Sequence, residues 1–309
     1  MSNGWRAPWS PASRATWRAR RATAPLPVTP GSSAFTATQL QRLYELGADA
    51  AATDQSFADA AARDGAFRRL STELTSAGRA ALDALRAGPR VPALRRLEES
   101  LRAALAGAGL VEVVTPTIVS GDALRKMGVE PHSEMGEQVF RLDSDRALRP
   151  MLAPNLYTVM RRLSRTWKQP FGIYEMGSCF RRDTKGARHL NEFTMLNLVE
   201  LGTPLAARDD RLRELAMVVL EAAGVGGYEF VLKSSEVYGD ELDVVVGGLE
   251  VCSTALGPHP LDDAWAITDP WVGLGFGLER LLVASGGLSG IERVGRSLSY
   301  LDGVRLQLS

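Results

Sequence analysis

The stretch Pro-Trp-Val-Gly-Leu-Gly-Phe-Gly-Leu-Glu-Arg-Leu-Leu-Val, from Pro270 to Val283, does most to constrain what this chain can fold into. Three glycines at alternate positions, Gly273, Gly275 and Gly277, run into Glu279 and Arg280 and then into an apolar, helix-like run. The N-terminal end of a helix carries a partial positive charge, so a cation in its first turn is disfavoured unless something negative sits opposite. An anion satisfies both, because backbone N–H groups at a helix start meet phosphate and a guanidinium adds charge-assisted hydrogen bonds. The other reading leaves Arg280 solvated on an outer face, with Leu278, Leu281 and Leu282 as the core stripe. The spacing is not the Gly-x-Gly-x-x-Gly of dinucleotide-binding folds, and no early strand–turn–helix unit carries that pattern elsewhere.

Upstream, the chain divides into three parts. Residues 1–33 are rich in Arg, Ala, Pro, Ser and Trp, hold no acid and show no sustained period, which predicts a disordered basic arm. A transit peptide or a misplaced start codon gives the same composition. Residues 34–90 form a helical leader, in which "TATQLQRLYELG" opens on capping threonines and stops at Gly47. Residues 91–309 make the main domain. Its first helix keeps Leu94, Leu97, Leu101 and Leu105 at helical spacing, and "LVEVVTP" follows as a strand ending at Pro116. "QVFRLD" reads as a strand, "APNLYTVMRRLSRTW" as a helix with Pro154 in its first turn, and "FGIYEMGSCFRRD" as an edge-like strand. "NEFTMLNLVELG" is the next strand, followed by the helix "ARDDRLRELAMVVLEAAG" and strands near "YEFVLKS", "ELDVVVGG" and "LEVCSTALG". Long helices bracketing strands joined by hairpin-like turns predict an α+β fold with a mainly antiparallel sheet.

Formal net charge is zero, from 36 basic and 36 acidic residues, so a nucleic-acid partner has to be met by a local patch. Arg161, Arg162, Arg165, Lys168, Arg181, Arg182, Lys185 and Arg188 supply one, against only Glu175 and Asp183. Cys179 and Cys252 offer neither a disulfide framework nor zinc spacing, which suits a reducing cytoplasm. No run is long and apolar enough to span a bilayer. From Cys179 to Glu200, two strand-like segments flank a loop carrying Arg181, Arg182, Asp183, Lys185, Arg188 and His189, as a hairpin would present cations over a polyanion. A plain exposed charged hairpin is the alternative.

Three pieces, Leu94 to Pro116, Cys179 to Glu200 and Gly273 to Leu282, resemble in content and order the three signature motifs of class II aminoacyl-tRNA synthetases. "LRPMLAPNLYTVMRRL" (Leu148 to Leu163), "HLNEFTMLNL" (His189 to Leu198), "VYGDELDV" (Val237 to Val244) and "GFGLERLL" (Gly275 to Leu282) are similar to the catalytic domain of the pyrrolysyl-tRNA synthetase family. The likeness runs from about Phe35 to the C-terminus, and nothing before Phe35 matches the separate N-terminal tRNA-binding domain of some members, which then belongs to another chain or is absent.

The resemblance implies a two-step reaction: the amino-acid carboxylate attacks the α-phosphate of ATP, and a ribose hydroxyl of tRNA(Pyl) takes the acyl group from the adenylate. It places Arg181 at the α-phosphate, Arg280 at the γ-phosphate, His189 over the phosphates, Leu190 in the nucleotide site and Phe193 under adenine. Asp183 stands where the family has Glu for the adenine amino group, one methylene short. Glu250 and Ser253 match the positions that hold Mg²⁺, a hard cation suited to oxygen ligands. For pyrrolysine the implied pocket takes Ala153, Leu156, Tyr157 and Met160 from one helix face, with Val199, Ala255, Trp271 and Gly273 opposite. Asn197 would meet the side-chain carbonyl and Tyr238 the ring nitrogen, with its loop folding over.

Val199, Met160 and Ala255 depart from the commoner cysteine, leucine and valine, so a related bulky lysine derivative fits the pattern too. Phenylalanyl or phosphoseryl charging is the enzymatic alternative, the second opposed by the lack of an extra cation among the pocket candidates. A non-catalytic tRNA-binding paralogue is the other, opposed by an intact Arg181, Arg280 and Glu250. The family also implies a homodimer built on the first motif.

Overall fold

The structure is a computed structural model and describes residues 33–87, 91–182, 190–235, 237–286 and 290–308. The basic arm expected over 1–33 therefore lies outside it, save Ser33. Helix α1 (Ala37–Leu46) starts at a capping box, in which Gln39 N–H donates to the Thr36 hydroxyl and the Gln39 side chain accepts from Thr36 N–H. It stops where Gly47 takes φ 104°, a left-handed turn that favours glycine. Helix α2 (Ala60–Arg86) crosses it over a small core of Phe35, Leu43 and Ala48, partly covered by Phe67 and Leu70.

Helix α3 (Ala93–Gly107) buries Leu94, Leu97, Leu101 and Leu105, the stripe its spacing predicts. The strand expected to run to Pro116 contracts to two residues, β1 (Val111–Glu112), parallel to β2 (Phe171–Phe180). Beyond it, Thr115 leaves the ladder for the Glu175 carboxylate, which accepts from its N–H at 3.1 Å and its hydroxyl at 2.6 Å. Glu175 is in turn paired with Arg149 at 2.7 Å, both buried. Asn155 donates to Thr115 Oγ1 at 2.7 Å, so this cluster ties the first motif to the start of helix α4 (Ala153–Leu163).

"QVFRLD" forms no strand. The Asp143 carboxylate accepts from the Asp145 and Arg146 N–H groups and turns the chain back, so the strand comes later, at Arg146–Leu148, paired with Ile118–Ser120. Helix α4 ends at Leu163, short of the expected Trp167.

Strand β3 (Glu192–Leu201), helix α5 (Arg208–Ala222), strands β4 (Tyr228–Ser235), β5 (Gly239–Val246), β6 (Leu249–Gly257) and β7 (Trp271–Gly277), and helix α6 (Leu278–Ala284) complete the domain. The seven strands lie in the order β1-β2-β3-β7-β6-β5-β4, so the last strand in sequence is inserted between β3 and β6. Only the β1–β2 pair is parallel, and the remaining five are antiparallel. One sheet face packs on α3, α5 and α6 through Leu196, Leu198, Val272, Leu274 and Phe276. The opposite face, carrying Ile173, Val199, Leu201 and Trp271, meets α4. Strand periodicity thus splits β3 and β7 between two cores, one of which is left partly open.

Candidate active site

Along β7, Val272, Leu274 and Phe276 point into the helical core while the three glycines fall on the other face. That face has no β7 side chains beyond Trp271, and a cavity of about 290 Å³ lies over it. The glycines are needed for room: a Cβ on Gly273 would stand 2.9 Å from the Trp271 ring, and one on Gly275 would stand 3.2 Å from the Asn197 amide nitrogen.

One end of the cavity is apolar. Ala153, Leu156, Tyr157 and Met160 line it from α4, Asn197 and Val199 from β3, Ala255 from β6, Trp271 and Gly273 from β7, and Tyr238 from the β4–β5 turn. Every residue expected of the amino-acid pocket is brought there. Tyr157 stacks on Trp265 at 5.3 Å and meets Trp271 edge-on at 5.7 Å. Tyr238 is already over the pocket, its carbonyl oxygen accepting from His259 Nε2 at 3.1 Å and its ring 6.3 Å from Trp271. Burial pushes the Tyr157 and Tyr238 phenols well above their ordinary values, so both stay neutral hydrogen-bonding groups. Asn197 is the exception among these walls, its amide oxygen buried without a hydrogen-bond partner. Sequence reasoning missed Trp265 and Asp262, since a four-residue helix, Asp262–Trp265, carries no periodic signal.

The other end is ionic. Arg181 lines it, with Nε donating to the Pro150 carbonyl at 2.9 Å and the guanidinium 5.3 Å from the Phe193 ring. Glu250 accepts from Lys233 Nζ at 3.0 Å and from Arg280 at 3.3 Å, and Arg280 also reaches the Glu250 carbonyl at 3.1 Å. Arg280 thus stands behind Glu250, outside the cavity wall, while Glu250 and Ser253 are in it. Lys233 is a cation that the pocket candidates lacked, but it is held between Glu250 and Asp243, at 3.1 Å from the latter. Burial raises the Asp243 carboxyl, opposed by the Lys233 bond. Lys233 and Asp243 lie on neighbouring strands, β4 and β5, two positions off direct register, a pairing that only the sheet reveals.

Glu279, next to Arg280, does not reach the cavity. It is 1% exposed, and both its oxygens accept from Thr194 N–H, at 2.9 and 3.0 Å. The third motif is thereby bolted to the second beside Phe193. Phe193 and Leu190 lie outside the cavity lining, and Asp183 and His189 fall outside the described residues. Cys179 and Cys252 are free and buried, and burial pushes the Cys179 thiol up to about 12, which rules these thiols out as nucleophiles.

Among the described residues no group of three or more His, Cys, Asp or Glu side chains is arranged to hold a metal. Glu250, Ser253 and the unpartnered Asp243 Oδ1 are hard oxygen donors on one wall, which fits a divalent cation carried in on phosphates and not one caged by protein.

A seven-stranded, mainly antiparallel sheet holding a half-ionic, half-aromatic cavity is the catalytic fold of class II aminoacyl-tRNA synthetases. Prolyl-tRNA synthetase of Giardia lamblia, solved with prolyl-adenylate, shares that fold, with a TM-score of 0.52 and 14% identity over 62% of this chain and 44% of that one. Residues 83–233 match the family described as the phenylalanyl tRNA synthetase beta chain CLM domain. Far higher similarity is found to pyrrolysyl-tRNA synthetase of Desulfitobacterium hafniense, at 52% identity and TM-score 0.84 over 90% of this chain and all of that one. A second structure of the same bacterium's enzyme, PylSc, gives 53%, 0.83, 90% and 99%. The chain belongs to the pyrrolysyl-tRNA synthetase family and is an aminoacyl-tRNA ligase. No described helix is long and apolar enough to cross a membrane.

Proposed function

We propose that the protein charges tRNA(Pyl) with pyrrolysine, or a closely related bulky lysine derivative, through an aminoacyl-adenylate made from ATP. The observation that carries this reading is the unpartnered Asn197 amide in the otherwise apolar end of the cavity. An acceptor oxygen kept unpaired there is costly unless a ligand donates to it, and an amide partway along a long, greasy side chain does so through its N–H, while its carbonyl accepts from the Asn197 amide nitrogen. The aromatic walls beyond take the terminal ring, with the Tyr238 hydroxyl as its polar contact.

At the ionic end, Arg181 binds the α-phosphate side and Arg280 the γ-phosphate, exchanging their present partners for phosphate oxygens. Phe193 and Leu190 flank the adenine, and His189 closes over the phosphates. Glu250 and Ser253 hold Mg²⁺, which offsets phosphate charge when bound. The amino-acid carboxylate oxygen forms a bond to the α-phosphorus as pyrophosphate leaves. A terminal ribose hydroxyl of the tRNA then attacks the acyl carbon, giving up its proton, and AMP leaves. The protein supplies alignment of two mutually repelling anions and stabilisation of the charge that develops on the phosphates.

The enzyme acts in the cytoplasm as a homodimer assembled on the first motif. The deciding experiment incubates the full chain with ATP, Mg²⁺, tRNA(Pyl) and each of pyrrolysine, phenylalanine and phosphoserine, and reads charged tRNA. Charging with pyrrolysine or a bulky analogue ahead of the other two is expected. Failure with every bulky lysine derivative, in folded protein, overturns the reading.

A further inference from the structure

Behind the aromatic wall sits a carboxylate that touches no substrate. Asp262 is 3% exposed, and no ion pair joins it to a cation among the described residues. Three donors converge on it from three parts of the fold. The Tyr157 hydroxyl reaches Oδ1 at 3.0 Å from α4, the Trp271 indole N–H reaches Oδ2 at 2.9 Å from β7, and the His259 backbone N–H reaches Oδ2 at 2.7 Å. The chain of contacts extends to the pocket's cover. His259 Nδ1 accepts from Leu261 N–H at 3.2 Å, which leaves the proton on Nε2 to hold the Tyr238 carbonyl. Asp262 is therefore the common origin of both aromatic walls and of the turn above them.

A buried carboxylate without a counter-charge is expensive, and hydrogen bonds alone compensate this one. As a packing element it is worse than a leucine. As a device it is better, because an acceptor with two oxygens fixes the positions of two rings relative to each other, which apolar packing does less well. We propose that Asp262 is a positioning residue that sets the separation of Tyr157 and Trp271, and thereby the length and shape of side chain the pocket accepts. The proposal rests on the amino-acid reading of this end of the cavity.

Asp262→Asn keeps the volume and one acceptor oxygen, whereas Asp262→Ala removes both. In the ligand-free full chain with ¹⁵N-labelled tryptophan, the Trp271 indole resonance, assigned through Trp271→Phe, is expected to shift and to exchange faster with solvent in both variants. In charging assays the KM for the amino acid should rise about tenfold in Asp262→Asn and further in Asp262→Ala, the free-energy scale of one lost charged hydrogen bond, while the KM for ATP stays within about twofold. Discrimination between two lysine derivatives differing by one methylene should narrow. Because Asp262 acts through the two rings, adding Asp262→Asn to Tyr157→Phe/Trp271→Phe should change KM by less than about twofold.

Parallel rises in both KM values, additivity with the double substitution, or unchanged KM and selectivity in folded Asp262→Asn would each overturn the proposal. Failure of the underlying reading looks different. The wild-type protein then charges no bulky lysine derivative, and the specificity role falls with it, although the indole resonance still moves.

Discussion

The two ends of the cavity solve opposite problems. At the ionic end every charged group that lines it and is described above already has a partner: Glu250 is shared by Lys233 and Arg280, and Arg181 donates to the Pro150 carbonyl. At the apolar end the walls are locked by packing, ring contacts and Asp262, and among the residues named as lining it the buried atom without a partner is the amide oxygen of Asn197. If the nucleotide binds as proposed, it must displace the Arg280–Glu250 ion pair and the Arg181 hydrogen bond, so that much of its attraction is spent on exchange. An amino acid enters a site that is already shaped, and the cost of ordering is largely met in advance. Salt should weaken the first end far more than the second.

The comparison breaks most visibly at Arg280. Its guanidinium bridges the Glu250 carboxylate and carbonyl, so Arg280→Ala removes the proposed phosphate ligand and leaves Glu250 held by Lys233 alone. ATP–pyrophosphate exchange dependent on the amino acid should fall by on the order of 10² to 10³, the loss seen when a preorganised electrostatic contact to a reacting group is deleted. Amino-acid binding measured without ATP should be unchanged. Retention of exchange near the wild-type rate would mean that the nucleotide is bound elsewhere.

Asn197→Ala tests the other end and should act in the opposite sense. The side-chain oxygen makes no hydrogen bond to the protein, so its removal deletes no hydrogen bond of that oxygen in the ligand-free fold and relieves a buried orphan. Thermal stability should be unchanged or slightly higher. The amino-acid KM should rise by about 10- to 30-fold, roughly 1.4 to 2 kcal/mol, with the ATP KM unaffected. A large drop in stability would show that Asn197 is a structural amide, and the pocket reading would lose its main support.

How legible each end was follows from the range of its contacts. The third motif could be read because strand period, glycine spacing and helix start all lie within a dozen residues, and Gly277 and Arg280 fall in the structure where that pattern puts them. The α4 face could be read for the same reason, since Ala153, Leu156, Tyr157 and Met160 repeat at helical spacing. Likeness to a family then joined the distant pieces. What stayed hidden depends on long-range pairing. Lys233 meets Asp243 and Glu250 only because three consecutive strands lie side by side, and Asp262 meets Tyr157 across 105 positions. The misread strand at "QVFRLD" failed for a local reason: one Asp143 side chain offering turn hydrogen bonds turns the chain back there.

Glu279 belongs to neither end and holds both, because Thr194, whose N–H it takes, lies between Phe193, which packs by the Arg181 guanidinium, and Met195 in the cavity wall. Burial raises its carboxyl above the ordinary value of 4.5, against the pull of the Thr194 bonds. Between 4.5 and the raised value, the folded protein keeps a proton that the unfolded chain has released, so this group's contribution to stability declines as pH rises through that window. Asp243, also raised by burial, adds a slope of the same sign. Glu279→Gln keeps an acceptor for Thr194 N–H but cannot ionise. Below the window it should cost about 1 kcal/mol or less, the scale of exchanging one neutral hydrogen-bonding group for another. Above it, the gap to the wild-type protein should narrow or reverse, leaving the shallower slope that Asp243 provides. Thermal melts of both proteins across the window read this directly. If the wild-type slope survives intact in Glu279→Gln, the carboxyl is ionised throughout, and the joint between the two motifs is a charged one.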